Sequence, residues 1–196
     1  YEGILRTGHR QDYNLNARTS TDKANLFYSA GYLNEKGYIS RSDYSRFTGR
    51  INADITQMNW LKYGFNLDGS HQKSGLVSAT TDNVSSFTNP FNYARDIAPI
   101  YPVYLHDPVT GEYVLDESGN KIFDDGSTTR NQNVGRHTIW ENQLNKEFTF
   151  RNTLNGQIYT DIKFLKDFTL TLKGDLNIRT SEQHSYDNAI IGDGAG

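Results

Sequence analysis

The side chains able to do chemistry are few and widely spread. The five histidines, His9, His71, His106, His137 and His184, have neither the i, i+4 spacing of a helical metal pair nor a short-loop spacing, so no metal is expected. Cysteine is absent, which excludes a disulfide framework, a thiolate metal site and a thiol nucleophile. The stretch "DESGNKIFDDG", residues 116–126, has the flavour of a calcium loop. Lys121, however, stands where the sharp-turn glycine belongs, and Ser127 where a bidentate glutamate is needed. A small hairpin is expected there instead, with residues 112–115 pairing near 121–124 across "ESGN". The adjacent acids Asp116 and Glu117, or Asp124 and Asp125, lie in polar, glycine-containing loops, where solvation rather than glycosidase chemistry is the ordinary role. "GDGAG" fits no dinucleotide fingerprint, and no serine elbow accompanies a His and an Asp. No cofactor and no enzymatic activity are expected.

What remains is a binding surface. All four prolines, Pro90, Pro99, Pro102 and Pro108, fall in the polar stretch from Gly75 to Asn145, together with Tyr93, Tyr101, Tyr104, Tyr113 and Trp140. Rigid turns with aromatics suit a surface that meets a ligand or partner, and the candidates are Tyr93, Arg95, Asp96 and Trp140. The alternative is that these rings form the loop's own small core.

Such a loop must hang on something, and the rest of the chain supplies it. The period-2 pattern recurs six times, near residues 11–19, 24–33, 44–56, 60–72, 148–162 and 167–180, with no convincing helical window. In "WLKYGFNLDGS", Leu61, Tyr63, Phe65 and Leu67 fall on one face and Lys62, Asn66 and Asp68 on the other. Short links ("STDK", "TQMNW", "KFLKD") alternate with long ones, the pattern of an up-and-down meander with two unlike rims. Alternation alone does not separate a soluble β-sandwich, such as a secreted glycan-binding or glycan-acting module, from a transmembrane barrel wall whose polar face lines a wet lumen. Length favours the barrel, because a tilted span takes about 9–11 residues and an ordinary strand about 5–6. Tyr44, Trp60, Tyr63, Phe164 and Phe168 would suit interfacial girdles or a core equally. In the barrel reading Leu15, Tyr28, Ile51, Phe65, Ile158 and Leu172 face lipid, and Asn16, Arg50, Asp54, Lys62, Asp68, Lys173 and Asp175 line the lumen.

Composition agrees with strands. The chain of 196 residues carries 13 Tyr, 10 Phe and 2 Trp, and its formal charge of −3 implies no nucleic-acid surface. No apolar run approaches the length of a membrane helix.

Three blocks carry a resemblance: "QDYNLNARTSTDKANLFYSAGYLNEKGYISRSDYSRFTGRINADI", "WLKYGFNL" and "NPFNYARDIAPIYPVYLHDPVTGEYVLDESGNK". In order and spacing they are similar to the barrel region of SusC-like (RagA-type) TonB-dependent transporters of Bacteroidetes. The resemblance implies part of a 22-stranded outer-membrane barrel with long extracellular loops, including one over residues 75–145, and a plug domain that lies outside this chain. It further implies TonB-energised import of a large polar nutrient, an oligosaccharide or oligopeptide, with a SusD-like surface lipoprotein as partner.

A finer expectation concerns register. Ile55 and Leu61 must share a face, so the central hairpin has two choices: Asp54 opposite Lys62 around a five-residue loop, or Arg50 opposite Asp68 around a three-residue one. The first is expected, because no glycine is available for the left-handed position that three-residue loops favour. The same link in "KFLKD" would set Ile162 opposite Phe168 and Gln157 opposite Lys173.

Overall fold

A computed structural model describes residues 3–75, 91, 97 and 101–195. Each period-2 stretch is a strand, in every case longer than the pattern that announced it: β1 (His9–Ser20), β2 (Ala24–Lys36), β3 (Asp43–Met58), β4 (Leu61–Gly75), β5 (Lys146–Phe164) and β6 (Phe168–Tyr186). The excess lies mainly at the ends joined by the long connections, where apolar alternation gives way to charged residues. The six strands pair antiparallel in sequence order, forming one open sheet with β1 and β6 at its edges. The short links and the long ones lie at opposite ends, as the meander requires.

The pairing puts every apolar set on the same side. Across the sheet Ala17, Tyr28, Ile51, Leu67, Gly156 and Leu176 stand in one row, and Leu15, Ala30, Gly49, Gly69, Leu154 and Ile178 in the next. The opposite face carries rows such as Asn16, Ser29, Arg50, Asp68, Asn155 and Asn177. Nothing among the described residues covers the apolar side. Leu15 is 76% exposed, Ile158 65% and Leu172 55%, and among the described residues the buried apolar ones are only Ile4, Leu33, Ala53, Ile139 and Ile191. A second layer, which a β-sandwich would need, is not present among the described residues.

The register differs from expectation by two residues. Arg50 opposes Asp68, and Asp54 opposes Gly64 rather than Lys62, although Asp54 and Lys62 do share a face. A β-bulge between Thr56 and Met58 absorbs one residue, so the chain reverses at Asn59 and Trp60 and Met58 pairs with Leu61. The bulge removes the need for a left-handed glycine. The second hairpin is also tighter than expected: Phe164 opposes Phe168, Ile162 opposes Leu170, and Gln157 opposes Asp175. Leu165 and Lys166 themselves occupy the left-handed region at φ 50° and 63°.

The long connection holds a second correction, a helix α1 (Thr138–Leu144) where none was expected. His137 caps it: the Trp140 amide donates to His137 Nδ1 at 3.1 Å, and the His137 amide donates to Glu141 Oε1 at 2.8 Å. Histidine is not among the usual capping types, which is why the boundary is hard to read in the sequence.

Candidate functional site

Three surfaces could meet a solute: the polar face of the sheet, its apolar face, and the folded connection above one end. On the polar face the side chains bond across strands. Asp68 Oδ2 accepts from Asn155 Nδ2 at 2.9 Å, and Asn155 Oδ1 in turn accepts from Asn177. One row nearer the short turns, Asn66 donates to Gln157 at 3.4 Å and Gln157 donates to Asp175 at 2.8 Å. In the next row Tyr159 lies across Gly64 and donates its hydroxyl to Asp54, with Lys62 Nζ 5.6 Å from the Tyr159 ring centre. The glycine is required there, because a Cβ on Gly64 would fall 2.5 Å from the Ala53 carbonyl and 2.6 Å from Tyr159 Cε1. These rungs satisfy the polar groups without neutralising the face. They leave amides and carboxylates open to water, as a hydrated wall needs.

The sequence-derived candidates Arg50, Asp54, Lys62, Asp68, Lys173 and Asp175 thus all stand on one face. Arg50 and Asp68 pair in register, but the Asp68 carboxylate bonds to Asn155.

The connection over residues 101–145 is a small folded body. Leu105, Ile122 and Val114 close a ring of backbone bonds: the Leu105 amide donates to Ile122 at 2.9 Å, Ile122 to Val114 at 3.0 Å, and Val114 to Leu105 at 2.9 Å. The expected hairpin is there in its inner part, with Leu115 bridged to Lys121 and the Ile122 amide donating to Val114, whereas Tyr113 and Phe123 pair instead with His106 and Tyr104 on the segment before them. The Asp116 carboxylate, which gave the calcium flavour, is taken up by its own turn. It accepts from the Asn120 and Ser118 amides at 2.8 and 2.9 Å, and the Asn120 and Ser118 bonds hold it below the usual carboxylate range. Asp107 does the same with Thr110 and Val109. These acids define turns.

Of the ligand-facing candidates, Trp140 is half-buried and stacked on Phe123 at 5.5 Å, and Phe123 also packs on Tyr104 at 5.0 Å and His137 at 4.9 Å. The loop's own core is therefore part of what its aromatics do. Tyr93, Arg95 and Asp96 lie outside the described residues. Sequence reasoning missed the clip that ties this body to the chain after β6. Glu141 is fully buried, 3.0 Å from Arg136, which also bonds Asp193, and the Glu141 side chain occupies the space a Cβ on Gly192 would take. Burial pushes the Glu141 carboxyl up, against the Arg136 charge. No spacing rule joins positions 141 and 192, so no sequence signal could have found the contact.

No protein-family model matches the chain, and no curated protein sequence does. Solved structures do match. The RagAB peptide importer in its 'closed-closed' state superposes over 94% of this chain with a TM-score of 0.61 at 14% identity. The same importer in its 'open-open' state gives 0.59 at 16%. The chain spans 19% of the length of those chains. The fold is that of a segment of the RagA-like barrel.

Proposed function

We propose that this chain is part of the wall of an outer-membrane β-barrel importer. The observation that carries the reading is the continuous apolar face across six strands, uncovered by any other described residue and backed by a polar face on the other side of the sheet. Its height fits a membrane. On β6 the apolar positions run from Phe168 to Ile178, which at about 3.4 Å per residue and a tilt of about 45° spans roughly 25 Å, the height of a barrel's lipid-facing band. Transport rather than catalysis is the role such a wall serves. Six strands do not close a large barrel, so the rest of the wall, the plug and the segment that meets TonB belong to sequence outside this chain.

The cargo in this reading is a large polar nutrient. Similarity to structures of a peptide importer supports an oligopeptide over an oligosaccharide, and the partner in this reading is a SusD-like surface lipoprotein, with Trp140, Tyr93, Arg95 and Asp96 as the proposed cargo- or partner-facing residues. A secreted β-sandwich module loses ground because nothing among the described residues packs on the apolar face.

Charge placed on each face tests this. Phe65→Arg or Leu172→Arg in the full-length protein should lower barrel assembly by about 2–4 kcal/mol if near the bilayer midplane, while Lys173→Glu on the polar face should leave it near wild type. Assembly is read as the fraction of heat-modifiable barrel in the outer-membrane pellet. Equal tolerance on both faces contradicts the reading.

A further inference from the structure

Burial in this chain is concentrated above the sheet. Apart from glycines, the only buried strand residues among those described are Leu33 and Ala53. The other buried side chains lie in the segment before β1, in the long connection and in the segment after β6, and all three meet at α1.

One side of that meeting comes from β1, β2 and β3. The segment before β1 pairs with the β2–β3 link: Leu5 is bridged to Ile39, the Arg6 amide donates to the Tyr38 carbonyl at 2.8 Å, and the Ser40 amide donates to the Ile4 carbonyl at 2.8 Å. The same segment touches α1, since a Cβ on Gly3 would lie 3.3 Å from Ile139 Cδ1. From the link, Arg41 Nη1 donates at 2.8 Å to the Asn142 carbonyl, one of those in the last turn that a helix leaves without a partner of its own. The Arg41 backbone also packs on the end of β4, where a Cβ on Gly75 would run into its carbonyl.

The other side comes from β6. The Asn188 amide donates to Asn145 Oδ1 at 2.8 Å, just past the end of α1, and Asn188 Oδ1 accepts from the Ile190 and Ile191 amides at 2.8 and 2.9 Å. The Gly192 amide donates to the Gly135 carbonyl at 3.1 Å, beside the contacts of Arg136 with Glu141 and Asp193. Among the described residues no hydrogen bond or ion pair joins the segment after β6 to the segment before β1 or to the β2–β3 link, so α1 is what connects them.

We propose that α1 is a brace that makes these segments one cooperative unit, opening as a whole. Seven residues are too few to hold a helix in water, so α1 depends on both sides at once, and releasing either side melts it and frees the other. In the barrel-wall reading the folded connection is then a fixed part of the outer mouth, and a displacement of the segment after β6 is passed on to the segment before β1. The brace itself rests on the fold and not on that reading.

The test is native-state hydrogen exchange on the full-length protein in detergent. In wild type the amides of Arg6 and Ser40 on one side and of Asn188 and Gly192 on the other should exchange through one opening with a common dependence on denaturant. Gly192→Ala forces a side chain onto the Glu141 carboxylate at a backbone φ of 85°, which cuts the β6 side. The Arg6 and Ser40 amides should then lose protection about tenfold, in step with Asn188, while the Ile51 amide in β3 keeps its wild-type protection. Ile4→Ala cuts the opposite side and should loosen Asn188 and Gly192 by a similar factor. Separate denaturant dependences in wild type, or loss confined to the side that was cut, overturns the brace and leaves the membrane reading standing. Equal loss at Ile51 also overturns it, since rim and sheet would then be one unit.

Discussion

Gly64 on the polar face of β4 and Gly49 on the apolar face of β3 are both interior strand glycines and differ in what they permit. Gly64 lies under the Tyr159 ring as it reaches Asp54, whereas Gly49 faces open space. Gly64→Ala should therefore cost about 1–3 kcal/mol by forcing Tyr159 off its partner, while Gly49→Ala should stay within about 0.5 kcal/mol of wild type; denaturant unfolding in detergent reads both. At His137 the readout is pH. The Trp140 amide donates to Nδ1, so the ring is neutral there, with its Nε2–H toward the Val103 carbonyl at 3.0 Å. Burial lowers the His137 pKa, so as pH falls the unfolded ring takes up its proton first. Stability from this cap is complete above the ordinary histidine range, near 6.5, and is lost as pH falls through and below it. Hydrogen-exchange protection of the Trp140 amide, corrected for intrinsic rate, should decline between about pH 7.5 and 5.5 in wild type and stay level in His137→Asn, which keeps a capping acceptor without a titrating one. Level protection in wild type would show that the cap does not depend on the neutral ring.

Strand identity was legible in the sequence because the chemistry that defines it, alternate solvation of two faces, is written residue by residue. Phe65 and Asn66 need no partner to declare their sides. Register was not, because it is decided in the turns by backbone conformations that the residue types only bias. Nothing in "TQMNW" announces a bulge at Gln57, and nothing in "KFLKD" announces Leu165 and Lys166 at positive φ. The polar candidates Asp54, Asp68 and Asp175 were legible as a face, but their bonds to Tyr159, Asn155 and Gln157 depend on that register. Helix α1 was hidden by its length of seven residues and its histidine cap. The β5–β6 turn gives a prediction of its own. Two non-glycine residues in the left-handed region carry strain, so replacing Leu165 and Lys166 with Asn and Gly should stabilise the hairpin by about 1 kcal/mol, and Lys166→Val should destabilise it by a similar amount. A register two residues wider would make the Asn-Gly exchange neutral or unfavourable.

For the molecule as a whole, a sheet this large with one wet face and one apolar face is stable only where two solvents meet. In water its exposed Leu, Ile and Phe residues would far exceed the patch a soluble monomer carries, and its edges at β1 and β6 would pair with other chains. In the barrel-wall reading proposed above, the same face would be solvated by acyl chains, the edges would join the rest of a closed barrel, and the polar rungs would line the path of the cargo. These 196 residues hold no cysteine, so no thiol of their own competes with a label placed among them. Single cysteines placed one at a time from Leu61 to Gly69 along β4, in the full-length protein in its membrane, can carry a spin label whose collisions with lipid-soluble oxygen and a water-soluble nickel chelate are compared. The account predicts strict alternation, with oxygen favoured at positions 61, 63, 65, 67 and 69 and nickel at 62, 64, 66 and 68. Equal access to nickel at both sets, with no period of two, would contradict it.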